Sequence, residues 1–354
     1  MKIVFLGLSI TSSWGNGHAT NYRALVRELT SRGHDVLFCE RDVPWYAAQR
    51  DLPEPPWGRT SLYGSLEQLA ERHGEDVAAA DLVVAGSYVP DGVAVCDWVL
   101  ENAGGTTAFY DIDTPVTLGK LRRGEHEYVS PELVGRFDLY LSFTGGPTLQ
   151  VLEEEFGARR AVPFYCLVDP EAYRPVDVEK RWDLGYLGTY SDDRQPVLEQ
   201  LLLEPARWSP VADFAVAGPR YPQRIEWPPN VERIEHVAPG EHASFYSSQR
   251  FTLNVTRAEM RAAGWSPSVR LFEAAACGVP VISDRWEGLE WLFTPDEEIL
   301  IADSTTDVVD YLAEIGEEEA REIGGRARRR VLAEHTAERR CELLEAEVAG
   351  VMVR

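Results

Sequence analysis

The sequence predicts an α/β protein built as two Rossmann-like, doubly wound domains facing a cleft. Three observations carry that prediction. Short apolar runs of strand type alternate with helical patterns from the first residues onward, the sign of a parallel sheet covered on both faces. After a Pro-bearing connector, VDPEAYRPV, the same alternation restarts. Finally, 354 residues with 44% hydrophobic side chains and ten Trp exceed one ordinary core and suffice for two.

Taken in order, the strand candidates of the first half are KIVFLG, DVLFCE, ADLVVAGS, TTAFYDID, DLYLSFT and RRAVPFYC. Helical patterns cover 20–32, 65–73, 91–103 and 147–157. In the second half DLGYLGT, DFAVAGP, VERIEHV, FTLNVT, GVPVISD and EILIA read as strands. Helices fit 194–203, 241–248, 267–277, 286–292 and 305–315. The Arg- and Glu-rich stretch 317–348 reads as one solvated helical region with i,i+4 ion pairs. The domains are expected at 1–165 and 183–335, with a connector at 166–182. A last helix, 336–354, would cross back to the first domain. A cleft between two such domains is the usual place for a ligand.

Composition excludes several classes. The net charge of −23 disfavours a nucleic-acid backbone or an anionic bilayer as the main partner. No run approaches the ~18–20 apolar residues of a membrane span, and the first residues form a strand pattern, not a signal peptide. Five cysteines, Cys39, Cys96, Cys166, Cys277 and Cys341, are scattered and odd in number, which argues against a disulfide framework or a zinc site. A cytoplasmic protein without stable membrane association is expected.

The stretch FLGLSITSSWGNGHAT, residues 5–20, has the look of a dinucleotide loop, and Glu40 follows about twenty residues later. The placement is wrong for nicotinamide, because only Gly7 abuts the strand while Gly15 and Gly17 lie far down a long loop. Those two glycines are better suited to admitting a bulky ligand. His18, at the helix start, is either a base kept neutral by the helix N-terminus or a residue that orders the loop. In FYDIDTP, Asp111 and Asp113 would point to the same side at the carboxyl end of a strand, where a cleft acid or base belongs. Metal binding by the pair is the weaker reading.

The most informative stretch is GWSPSVRLFEAAACGVPVISD, residues 264–284. Ser266 is placed to cap a helix and Pro267 to occupy its first position. The helix stops at Gly278, and Pro280 leads into the next strand. Ser266, Ser268 and free amides would make an anion site at the helix start. Arg270 lies one turn in and Glu273 about two.

This segment resembles the signature of GT-B glycosyltransferases of family 4, in which the matching helix binds the donor nucleotide. VDPEAYRPV is similar to their interdomain connector, and DLGYLGTYSDDRQPVLEQLL to the opening of their second domain. The nearest resemblance is to the spore-maturation CgeB-like branch, through RDVPWYA, YDIDTP, NVTRAEM and SPSVRLFEAAACG, and it extends over essentially the whole chain. It implies a GT-B fold and a metal-independent, retaining transfer of a sugar from a nucleotide-diphosphate donor to an acceptor hydroxyl, with no cofactor. Inversion with His18 or Asp111 as base is the alternative. Glu273 would then hold the ribose hydroxyls, Arg194 and Arg257 the diphosphate, and the backbone at Ser268 and Val269 the same phosphates, with Gly188 leaving room for their approach. His18, Asp111 and Asp113 would serve the acceptor side, and Gly15 and Gly17 the donor loop. The family's first glutamate, expected eight residues before Glu273, is Trp265 here, so the sugar cannot be carried over. A sugar-nucleotide 2-epimerase, or a binding or structural protein on the same fold without turnover, are the other readings.

Overall fold

The computed structural model describes residues 1–15 and 17–352; Asn16 of the glycine loop, and Val353 and Arg354 at the end of the expected last helix, lie outside them. The chain divides into two compact units, Met1–Leu167 with Ala337–Arg354, and Val168–Thr336.

The first unit is a seven-stranded sheet: β1 (Lys2–Gly7), β2 (Asp35–Arg41), β3 (Arg59–Tyr63), β4 (Leu82–Gly86), β5 (Thr106–Asp111), β6 (Leu139–Ser142) and β7 (Ala161–Pro163). Its order is β3-β2-β1-β4-β5-β6-β7, and every pairing is parallel. The order reverses between β1 and β4, so the carboxyl ends of those strands open a crevice. Both end in glycine for a packing reason. A Cβ on Gly7 would come within 2.3 Å of Phe38, and one on Gly86 within 2.2 Å of the Tyr22 hydroxyl. Their absence lets the helix His18–Ser31 lie close on the sheet.

Strand β3 was not expected from the sequence. RTSLY is an edge strand whose residues are mostly half-buried, so it lacks the apolar run that marks the central strands. The helix Thr114–Arg122 was also missed; its Thr, Val and Gly residues are weak helix formers, and it is set by Pro115 in the first turn. The charged stretch 317–348 is two helices, not one solvated region. Glu317–Glu334 buries Ala320, Ile323, Ala327 and Val331 within the second unit. Ala337–Met352 belongs to the first unit, where it packs on His18–Ser31 and Glu345 accepts from Arg32 Nη2 at 2.7 Å.

The second unit holds β8 (Trp182–Leu187), β9 (Phe214–Ala217), β10 (Val231–Ile234), β11 (Gln249–Asn254), β12 (Val281–Asp284) and β13 (Leu300–Ala302). They run parallel in the order β10-β9-β8-β11-β12-β13. Tyr186, Phe214, Phe251, Leu253 and Ile282 centre its core. Here the reversal falls between β8 and β11, so Gly188 and Asn254 border the crevice. Among the described residues no helix is long and apolar enough to cross a membrane.

Candidate functional site

In the second unit, the crevice between β8 and β11 gathers most of the residues the sequence singled out. The helix Val269–Ala276 starts later than expected. Ser268, not Ser266, takes the N-cap position with extended backbone, while Ser266 and Pro267 are buried just before it. The Ser268 hydroxyl does not cap the helix. It donates to Asn254 Oδ1 at 2.7 Å, so among the described residues the N-cap side chain makes no capping bond to the first turn at Val269. Such a turn carries partial positive charge.

Gly188 follows β8 directly. Its N–H donates to Ala217 O at 2.8 Å, and its carbonyl accepts from the Tyr221 hydroxyl at 3.1 Å. A Cβ there would fall 2.5 Å from the Tyr186 hydroxyl, so this position excludes any side chain. Arg194 stands where the short helix Gln195–Leu198 begins and folds back over its own loop, donating to Ser191 Oγ at 2.9 Å and Thr189 O at 2.5 Å. Arg257 lies beyond the end of β11 and not on it, at the start of the helix Ala258–Ala263. Asp193 ties these loops together by accepting from the Ala258 N–H at 2.9 Å. Burial disfavours its charge, but bonds from Ser191 and Ala258 and the nearby Arg257 and Arg194 outweigh that and hold its carboxyl below the usual range.

Glu273 is buried at 6% exposure and accepts from the Tyr246 hydroxyl at 3.1 Å. The Tyr173 hydroxyl is paired with His242 Nδ1 at 3.2 Å and feels the charge of the same carboxylate. Burial, and then the Glu273 charge, push both phenols far above their usual pKa. Tyr246 therefore remains a donor that fixes the carboxylate. Trp265 adopts a left-handed φ of 50°. Its N–H donates to Glu287 O at 2.6 Å, and its ring lies over Gly288, where a Cβ would be 2.4 Å away. The residue is built into its turn by packing.

The first unit carries a second cluster. Gly15 is left-handed, with φ 59°, and a Cβ at either Gly15 or Gly17 would meet open space. Gly17 takes the N-cap position of the helix that His18 opens. The rest of the loop is anchored, because buried Glu40 accepts from the Ile10 N–H at 2.7 Å, the Thr11 N–H at 3.0 Å and the Thr11 hydroxyl at 2.6 Å. The acidic residue that mimicked a ribose ligand is thus the loop's internal anchor.

Asp111 and Asp113 do not share one strand face as expected. β5 ends at Asp111, and Asp113 sits at the start of the next helix. Asp111 is fully buried and accepts from Tyr140 at 2.5 Å and Thr117 at 2.8 Å. Burial raises its pKa to about 6, against the pull of those two bonds. Asp113 is half-buried and accepts from the Tyr88 hydroxyl at 2.9 Å. Sequence reasoning missed Tyr88. It holds φ 65°, an uncommon conformation for a non-glycine residue that costs about 1 kcal/mol or more. Its ring lies 5.6 Å from that of His18, and Lys120 Nζ lies 5.4 Å from both the Tyr88 and Tyr128 rings. Its place just past the end of β4 was the one available signal.

Burial lowers the His18 pKa to about 4, with the Asp113 charge opposing. Unfolded, the residue takes a proton near pH 6.5; folded, it does so only near 4. Stability is therefore lost as pH falls through that window. Asp111 has the opposite sign, so the two must be separated by mutation. Replacing His18 with Gln should make the variant gain about 2 kcal/mol on the wild type between pH 7 and pH 4, allowing for partial exposure. Urea unfolding at several pH values checks this; a pH-independent difference would contradict a neutral, buried imidazole.

Residues 194–346 match the family model described as glycosyl transferase-like. No curated protein matches at the sequence level. Solved structures match along the whole chain. Sucrose-phosphate synthase from Thermosynechococcus elongatus is 16% identical over 99% of both chains, with a TM-score of 0.72. Anabaena Alr3699/HepE in complex with UDP and glucose is 14% identical over 99% of both, with a TM-score of 0.73. An alpha-glucosyltransferase in complex with UDP-glucose and DNA containing an abasic site is 14% identical over 98% of both, with a TM-score of 0.71. The chain has the two-domain α/β fold of GT-B glycosyltransferases.

Proposed function

We propose that this protein is a glycosyltransferase that moves a sugar from a nucleoside-diphosphate donor to an acceptor hydroxyl. One observation carries the reading: the β8–β11 crevice joins an uncapped helix start, the glycine at 188 and the buried carboxylate of Glu273. The helix start and Gly188 suit phosphate, which needs amide donors and close backbone approach. Glu273 suits the vicinal hydroxyls of a ribose, which a carboxylate oxygen pair accepts. The match of residues 194–346 to a glycosyl transferase-like family covers this same region, and structures of this fold hold UDP and UDP-glucose.

Arg194 and Arg257 offset the charge of the leaving diphosphate, so the reaction needs no metal and no cofactor. Gly15 and Gly17 leave the loop of the first unit open to the ligand. On the acceptor side Asp113 and His18 are the groups with access, while Asp111 orders the cluster from beneath. Retention is the proposed outcome, with the departing phosphate taking the acceptor proton; inversion would use Asp113 or neutral His18 as base. A cytoplasmic location and a soluble acceptor are part of the same proposal, supported by a net charge of −23 that disfavours an anionic bilayer. Trp265, standing where the family has a sugar-binding acid, favours one rival, a protein that binds the nucleotide without turnover.

Thermal unfolding with UDP, dTDP, GDP, CDP and NAD, each with and without EDTA, tests the proposal. A nucleoside diphosphate at about 100 times its Kd should add ~2.7 kcal/mol to the state that binds it. One diphosphate should stabilise the protein regardless of EDTA. Stabilisation by NAD alone would overturn the reading.

A further inference from the structure

Most arginines of this acidic chain end on a carboxylate. Arg23 pairs with Asp51, Arg32 with Glu345, Arg160 with Glu347 and Arg285 with Asp303, each at 2.7–2.8 Å. Around Gly188 the pattern breaks. Arg194 and Arg233 bond carbonyl and hydroxyl oxygens only. Arg270, at 7% exposure, donates through Nε to Leu187 O at 2.6 Å and through Nη1 to Asn254 Oδ1 at 2.9 Å. Its guanidinium lies 4.8 Å over the Tyr186 ring. All three arginines are near enough that their charges oppose the burial that raises the Tyr221 phenol, and that phenol donates to Gly188 O.

Asp284 feels the Arg270 charge, but among the described residues no carboxylate hydrogen-bonds to this buried guanidinium, a costly arrangement in a chain of net charge −23. The arrangement makes sense when the missing anion is a ligand. Among the described residues, Arg270 Nη2 has no hydrogen-bond partner. It points at the one residue without a side chain, since a Cβ on Gly188 would lie 3.0 Å from it. The uncapped first turn of Val269–Ala276 supplies amides at the same place, because Ser268 turns its hydroxyl to the Asn254 oxygen that also receives Arg270.

We propose that Arg270 binds the diphosphate of the donor, presenting Nη2 beside Gly188 and the first turn of that helix. The assignment rests on the donor-site reading above but concerns the anion alone, so it can be probed without nucleoside or sugar. A guanidinium suits this work because it stays charged and its fork matches phosphate oxygens.

The experiment is calorimetric titration with inorganic pyrophosphate in EDTA. Wild type should bind, and Arg270→Gln should lose at least about tenfold in affinity, the scale of one charge-assisted bond. Arg270→Lys should lose less. Gly188→Ala, which keeps Arg270 but whose Cβ would press on its Nη2 and on the Tyr186 hydroxyl, should lose affinity too, and it keeps the test alive if Arg270→Gln does not fold. Equal pyrophosphate affinity in wild type and these variants, or no binding by wild type, would overturn the assignment. Pyrophosphate binding with silence from every nucleoside diphosphate would instead overturn the donor reading and leave the anion site in place.

Discussion

Replacing Glu273 with Ala should lower the affinity for the cognate nucleoside diphosphate by ~30-fold or more, because two charge-assisted hydrogen bonds to ribose hydroxyls are lost at roughly 1.5–3 kcal/mol each. The effect should depend on the sugar of the nucleoside. Wild type should favour the ribonucleotide over its 2′-deoxy form, and the variant should bind both alike. That ratio separates ligand binding from structure, which matters because Glu273 also receives Tyr246. Removing the carboxylate leaves that buried phenol without an acceptor, at a cost of about 1–3 kcal/mol. Glu273→Gln keeps an acceptor for it and should recover most of the stability but little of the discrimination. Unchanged affinity and an unchanged ratio would mean that the ribose lies elsewhere.

The second large effect belongs to Glu40 in the first unit. Glu40→Ala should destabilise that unit by about 3 kcal/mol or more, since it strands the buried amides of Ile10 and Thr11 and the Thr11 hydroxyl. For a unit of this size the midpoint of thermal unfolding should fall by roughly 6–12 °C. Because two units unfold here, calorimetry should show the loss in one transition only. Glu40→Gln should cost much less, as an amide oxygen still accepts from the two N–H groups and Thr11 can reverse its hydroxyl. If Glu40→Ala left stability intact, the carboxylate would have to be free for a ligand, as a dinucleotide site requires.

These two glutamates show what could be read from the sequence and what could not. Central strands are legible because a parallel strand buried on both faces is a nearly unbroken apolar run; KIVFLG and DFAVAGP are cases, and both are strands. RTSLY sits at a sheet edge, half-buried, and carries no such mark. The helix after Trp265 was legible in kind but not in its start. Ser266 and Pro267 have the composition of a cap, yet the demand of Asn254 for a donor draws Ser268 inward and the helix begins at Val269. Glu40 has the spacing of a ribose ligand, and only the structure shows its oxygens already taken. Tyr88 was hidden because its left-handed backbone is set by tertiary context, not by residue type. Arg270 was visible as a residue, but that no carboxylate hydrogen-bonds to it is a property of three-dimensional neighbours.

The central claim is that a nucleoside diphosphate occupies the crevice between β8 and β11. Backbone hydrogen exchange, with and without the diphosphate that stabilises the protein most, tests it directly. The account predicts added protection at 188–194, 254–257 and 266–273, with little change in β9, β10 or β13. Protection confined to the first unit, at 8–17 and 36–42, would contradict it and return the glycine loop to the role of a dinucleotide site.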